Sequence, residues 1–255
     1  MEEFKFDRVV KIEVFTDVYS VARQAAALIA AEARVAVAAR GCFVMAVSDG
    51  HSSWIMLSAL AQENIPWAKI RIAQVDERIL PARHFDRSLT RLRDSLLDYA
   101  PLPSKQIYPM PVEALDLETA ARQYAGTLSN LAGSPPVFDL IHLGLGPDGH
   151  TASLVPGDPV LEISDADVGV TGVYRKRRRM TLSYPILNRA RRILWLVTGS
   201  EKTDMLGRLL EADTSIPAGR VNQARAVVFA DRAAAKNVQL GSKDYGIVEQ
   251  LAGQG

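Results

Sequence analysis

A single cysteine, Cys42, is all the thiol chemistry in this 255-residue chain, which excludes an internal disulfide framework and a cysteine-rich metal site. Net charge is also nearly absent. Thirty Lys and Arg against 29 Asp and Glu leave +1, so no global field draws the chain to nucleic acid or to an anionic membrane. No stretch approaches the length of a membrane span, and the opening Met-Glu-Glu-Phe-Lys-Phe has no apolar signal core. There is no internal repeat and no long linker. Together these absences predict a soluble, cytoplasmic protein in which residues 1–255 form one domain, as a monomer or a small homo-oligomer.

What is present is apolar material in short runs: 48% of the residues are hydrophobic, enough for one large α/β core. Residues 17–40 are Ala-rich, with Val18, Val21, Ala25, Leu28, Ile29 and Val35 near helical spacing and Gly41 where a C-terminal cap belongs. Glu32 interrupts that face. A β-like run from Cys42 to Val47 leads to a helix from Ser52 to Gln62. Another, Ile70 to Val75, leads through a polar turn to a helix at about 86–98. A helix over 116–131 is broken by Gly133, Ser134, Pro135 and Pro136 before the apolar run Phe138–Leu143. Further β-like runs are Val168–Val173, Ile193–Val197 and Ala226–Ala230, and Ser200 is placed to cap a helix with Glu201 in its first turn. Strands alternating with helices predict an α/β fold with a mainly parallel sheet covered on both faces.

In such a sheet the ligand lies at the carboxyl ends of the strands, so the residues just past each strand matter most. After Phe138–Leu143 comes Gly144-Leu-Gly146-Pro-Asp148-Gly149-His150, a turn with an acid and an imidazole inside it. A titratable His beside a carboxylate at a strand end is the usual material of a general base. Gly144, Gly146 and Gly149 also satisfy G-x-G-x-x-G, the pattern of a dinucleotide site. That reading fails on its flanks. Only Ala-Ser-Leu-Val separates Thr151 from Pro156-Gly157, too little for the required helix, and Asp148 would put a negative charge in the phosphate cradle.

Two other strand ends converge with this one. Ser48-Asp49-Gly50-His51-Ser52-Ser53 has the form of an anion cradle, with Gly50 allowing the turn and the free N–H groups of a helix start behind it. Ser52 can equally serve as a helix cap. Arg78, in Asp76-Glu77-Arg78, offers a planar fork for phosphate or carboxylate, or an ion pair with Asp76 or Glu77. His142 lies mid-strand and reads as a core residue, His84 as a loop residue meeting solvent, and His51 is ambiguous beside the cradle. The basic run Arg175–Arg179 reads as a solvated loop, from which Arg179 is best placed to reach over the site.

These residues resemble those of the 6-phosphogluconolactonase family. The resemblance is carried by Phe138-Asp139-Leu140, by Gly-Leu-Gly-Pro-Asp-Gly-His-Thr-Ala-Ser-Leu through Pro156-Gly157, and by Asp76-Glu77-Arg78 with Pro81. Arg179-Met-Thr-Leu182, Pro185-Ile-Leu-Asn188, Ala190-Arg191, Thr198-Gly-Ser-Glu-Lys202 and Pro217-Ala-Gly-Arg-Val221 continue it in order. The resemblance implies a Rossmann-like fold shared with sugar-phosphate isomerases, a small phosphorylated sugar lactone as substrate, and no cofactor or metal. By position, His150 would be the general base and Asp148 its orienting partner, while Gly50, Ser52, Arg78 and Arg179 would hold the phosphate, with Ser48 and His51 beside them. Backbone N–H groups around Gly144–Gly146 are the expected oxyanion donors.

Two departures qualify that expectation. The family's phosphate turn usually reads Ser-Gly-Gly-Ser-Thr-Pro, and here Asp49 adds a negative charge where an anion should bind, which a protonated His51 would offset. Where the family has Ser-Asn, this chain has Arg87-Ser88, and Arg87 is a candidate compensating phosphate contact. A non-catalytic sugar-phosphate binder and a lactonase of altered substrate are each compatible with the changed cradle. Glucosamine-6-phosphate deaminase has a similar Asp-Gly-His turn but continues Ile-Ala-Phe-Asn-Glu, against Thr151-Ala-Ser-Leu-Val155 here.

Overall fold

Residues 10–238 and 247–249 are described by the computed structural model. The chain runs β1 (Lys11–Phe15), α1 (Val18–Arg40), β2 (Phe43–Val47), α2 (His51–Leu60), β3 (Ile70–Gln74) and β4 (Asp76–Arg78). It continues with α3 (Ser88–Leu92), β5 (Ile107–Tyr108), α4 (Leu117–Ala132), β6 (Leu140–Gly144), β7 (Val168–Val170) and β8 (Arg179–Leu182). The last described elements are α5 (Tyr184–Arg189), β9 (Ile193–Val197), α6 (Thr203–Leu210), β10 (Ala226–Asp231) and β11 (Ile247–Glu249).

Eight strands pair in the order β11-β1-β10-β9-β6-β2-β3-β5, every pair parallel. Two of the central strands, β2 and β9, are apolar on every residue because both of their faces are covered. Phe43, Met45 and Val47 of β2, with Leu194 and Leu196 of β9, pack toward α1 and α2. Val44 and Ala46, with Ile193, Trp195 and Val197, pack toward α4, α5 and α6. The Ala stripe of α1 is what lets it lie close: Ala22, Ala25, Ala26, Ala30, Ala33 and Ala36 are all buried. Asp17 caps that helix by accepting from the Ser20 N–H at 2.8 Å, and Gly41 closes it with φ 78°. Glu32 does not break the face. It is half-buried and pairs with Arg192 at 3.2 Å, while Val35 turns out to solvent.

Several expectations change. The chain's first described element is β1, a strand absent from the expected set. Asp76–Arg78, expected as a polar turn, is a strand. The chain leaves the parallel sheet at Val75, whose carbonyl accepts from Leu182 N–H at 2.8 Å, and β4 then pairs antiparallel with β8. The Val168–Val173 run contributes only β7, and to this small sheet (β4-β8-β7), not to the parallel one. The helix at 86–98 is an α turn, Ser88–Leu92, followed by a π turn, Arg93–Leu97. Ser200 caps nothing. Gly199, at φ 96°, precedes a 3-10 turn, and α6 begins at Thr203, whose hydroxyl donates to the Ser200 carbonyl at 2.8 Å.

Candidate active site

A cleft of about 530 Å³ opens at the carboxyl ends of β2, β3, β6 and β9. Its floor is the turn after β6. There the Gly146 N–H donates to the His150 carbonyl at 2.8 Å, Gly149 turns the chain at φ 80°, and the Thr151 hydroxyl donates to the Gly144 carbonyl at 2.9 Å. The imidazole lies directly on Gly146: a Cβ there would sit 2.0 Å from His150 Nδ1. Glycine is required by the ring above it, not by φ.

His150 Nδ1 lies in hydrogen-bond contact with Asp148 Oδ1 at 2.5 Å, and Asp148 Oδ2 accepts from the Tyr174 hydroxyl at 2.7 Å. Asp148 thereby holds the proton on Nδ1, leaving Nε2 as the basic nitrogen. Burial pulls His150 below the ordinary histidine range, and Asp148 and Asp76 offset only part of that. The ring is therefore neutral near pH 7. Burial pushes the Asp148 carboxyl up, but the bonds from His150 and Tyr174 win and hold it at about 2. Asp76, buried beside them, is pushed up by burial against the Ser153 hydroxyl, which donates to it at 2.6 Å.

The same cleft collects positive charge. The β4–β8 register sets Arg78 opposite Arg179, and both reach the cleft with Arg175 and Lys202. Arg179 Nε and Ser48 Oγ are buried and have no partner among the described residues. Ser48, Gly50, His51 and Ser52 also line the cleft. Gly50 stands at the N-terminus of α2 at φ 149°, with no side chain capping the first turn, so the helix-start amides and their partial positive charge are open to an anion. Ser52 accordingly is not a cap.

Asp49 is spent inside the protein. Its Oδ2 pairs with Arg78 Nη1 at 2.8 Å and its Oδ1 accepts from Trp54 Nε1 at 2.6 Å. The charge needs no offset from His51, which lies edge-on to Trp54 at 6.0 Å. Arg78 Nη1 also donates to the Asp86 carbonyl at 2.7 Å, so the guanidinium plane is fixed from one nitrogen while Nε and Nη2 make no hydrogen bond among the described residues. Its ion-pair partner is thus neither Asp76 nor Glu77.

Two expected site residues are displaced from their roles. Arg87 is buried behind the cleft, 3% exposed, and pairs with Glu77 at 3.4 Å and with Glu113. It cannot touch a ligand there. The Gly146 amide, committed to the His150 carbonyl, is not an oxyanion donor, although Gly144 and Gly146 both line the cleft. His142 is the core residue expected: Nδ1 accepts from Ser48 N–H at 3.3 Å, and burial drives its pKa to about 3. His84 is half-buried, stacked on Phe85 at 4.6 Å and accepting from Asp86 N–H at 3.1 Å. Tyr174, Ser153, Arg175 and Lys202 are site residues that the sequence does not single out. Arg175 has its place in the basic run, and Ser153 and Lys202 fall within the motifs that carry the family resemblance; only Tyr174 has no signal there. Among the described residues no three His, Cys, Asp or Glu gather as metal ligands, and no helix is long and apolar enough to cross a membrane.

Residues 16–230 match the family model described as glucosamine-6-phosphate isomerases/6-phosphogluconolactonase. A 6-phosphogluconolactonase of Synechocystis is 40% identical over 184 residues, covering 70% of this chain and 76% of that one. The human 6-phosphogluconolactonase is 33% identical over 239 residues, 88% of this chain and 92% of that one. The crystal structure of a 6-phosphogluconolactonase from Thermotoga maritima superposes with a TM-score of 0.77 at 26% identity, covering 87% of this chain and 98% of that one.

Proposed function

The chain belongs to the glucosamine-6-phosphate isomerase/6-phosphogluconolactonase family, and from that premise we propose that its cleft hydrolyses 6-phospho-D-glucono-1,5-lactone to 6-phosphogluconate, the lactonase step of the oxidative pentose phosphate pathway. The observation that carries the reading is one cleft that holds both an oriented, neutral imidazole and unspent cationic donors. His150 Nε2 takes a proton from water as its oxygen bonds to the lactone carbonyl carbon. When the tetrahedral intermediate collapses, the carbon–ring-oxygen bond breaks and the imidazolium returns the proton to the departing oxygen. The phosphate lies against the α2 amides, Ser48, Ser52 and the free edge of Arg78, with Arg179 beside it. A cytoplasmic setting fits a chain whose only cysteine is a free thiol.

The test is turnover of freshly generated phosphorylated lactone beside the unphosphorylated lactone, each corrected for spontaneous hydrolysis. Strong preference for the phosphorylated substrate is expected. Binding without turnover would instead make the protein a sugar-phosphate binder, and equal rates would remove the phosphate from the reading. The same assay over pH gives a sign. The base works as neutral imidazole, so kcat/KM is constant at neutral pH and falls as pH drops through a pKa below the ordinary histidine value, because burial favours the uncharged ring.

Gly146→Ala supplies a second check. The added methyl would occupy the space of the imidazole, 2.0 Å from Nδ1, so the ring must leave its place over the turn. A misplacement of about 1 Å costs roughly 100-fold in rate, and kcat/KM is expected to fall at least that far. Activity at the wild-type level would mean that the ring position does not matter.

A further inference from the structure

Each oxygen of the Asp148 carboxylate has one side-chain donor: His150 Nδ1 on Oδ1 and the Tyr174 hydroxyl on Oδ2. Asp148 is only partly buried, with a side chain 36% exposed, so packing alone does not fix its carboxylate plane. Tyr174 is itself held firmly. Its ring meets His150 edge-on at 5.6 Å, with the guanidinium carbons of Arg175 and Arg179 at 5.1 and 5.4 Å from the ring centre. It opens a tight hairpin in which Tyr174 N–H donates to the Arg177 carbonyl at 2.9 Å and the Tyr174 carbonyl accepts the reverse bond at 3.1 Å. The hairpin forces Arg175 (φ 48°) and Lys176 (φ 68°) into the left-handed region, which non-glycine residues occupy at some cost. Two ion pairs fasten its far side, Arg177 to Asp86 at 3.5 Å and Arg178 to Glu118 at 2.7 Å.

We infer that Tyr174 is a positioning residue for the base: its hydroxyl locks the Asp148 carboxylate in the orientation that keeps the proton on His150 Nδ1 and leaves Nε2 to the substrate. The inference rests on reading His150 as the base. Tyr174 itself neither gains nor loses a proton, since burial and the adjacent carboxylate raise its pKa. The charged groups around the pair are Asp76 and Arg179 toward His150, with Lys202 and Arg175 on the side of Asp148 and Tyr174.

Tyr174→Phe isolates the hydroxyl, because the ring and its two arginine contacts remain. kcat for the phosphorylated lactone is expected to fall about tenfold to a hundredfold, the range for residues that orient a working group, with KM within about twofold. The acid limb of kcat/KM moves to lower pH, since an Asp148 carboxylate free to rotate bonds the Nδ1 proton only part of the time and stabilises the imidazolium less. Independently of turnover, nitrogen NMR of ¹⁵N-histidine protein, with His150 assigned from His150→Ala, is expected to show the Nδ1–H form in wild type and a tautomer mixture in Tyr174→Phe. Unchanged kcat and imidazole signals would overturn the inference, as would a loss of kcat with the acid limb and the tautomer unmoved, the mark of a merely structural tyrosine. A wild type without lactonase turnover would refute the function while leaving the imidazole signals to decide this point.

Discussion

Replacing His150 with alanine is expected to lower kcat/KM for the phosphorylated lactone by about 10²- to 10⁴-fold, the usual contribution of a positioned general base. The loss belongs in kcat. The α2 amides and Arg78, proposed to bind phosphate, are not held by His150, and Arg78 keeps its own partners, Asp49 and the Asp86 carbonyl. Thermal stability should change little, because the ring lies at the cleft wall with its side chain 18% exposed, outside the two core clusters. Asp148→Asn carries the argument one bond further. An asparagine cannot hold the Nδ1 proton as a carboxylate does, so the ring is free to move that proton to Nε2 and lose its basic nitrogen from the cleft. A loss approaching that of His150→Ala is expected, with wild-type phosphate affinity in a thermal-shift titration. If His150→Ala turned over at the wild-type rate, another group would have to be the base, and Asp76 would be the next carboxylate to test.

How far the sequence foretells this depends on whether a residue's partner lies close in the chain. The parallel sheet is readable because strands buried on both faces are unbroken apolar runs, as Phe43–Val47 and Ile193–Val197 are. The Asp148–His150 pair is readable because its members are two residues apart on a turn made tight by glycine. Asp49 and Arg78 are separated by 29 positions, Tyr174 and Asp148 by 26, and no local spacing announces either pair. The strand β4 is hidden for a related reason. Asp76, Glu77 and Arg78 are polar enough to resemble a turn, yet two of them are buried and find their partners only in the folded chain. Arg87 shows the error most plainly: a lone cation near a proposed phosphate site looks like a ligand until its two glutamates are located.

Glu77→Gln should be among the most destabilising single changes in the protein, by about 3–5 kcal/mol, although Glu77 never reaches the cleft. Its carboxylate is fully buried and accepts five hydrogen bonds: Gln74 Nε2 at 2.9 Å, Arg78 N–H at 2.8 Å, Ser88 N–H at 2.8 Å, Leu89 N–H at 2.9 Å and Arg87 Nε at 3.4 Å. It therefore caps the first turn of α3 from another strand and fixes the backbone of Arg78 at the site's edge. A glutamine amide would have to turn its NH₂ toward one set of these donors, and it would leave Arg87 with only the surface-exposed Glu113 as counter-ion. At about 2–4 °C per kcal/mol for a chain of this size, the melting temperature should drop by roughly 6–20 °C. The assignment to a stranded charge is testable by adding Arg87→Met, which removes the guanidinium and keeps its apolar volume. Partial recovery in the double variant, beyond the sum of the single effects, is expected. A Glu77→Gln protein within about 1 kcal/mol of wild type would show that Arg87 is adequately paired through Glu113 alone. Arg78 would then owe its place to Asp49 and the Asp86 carbonyl, not to the strand beneath it.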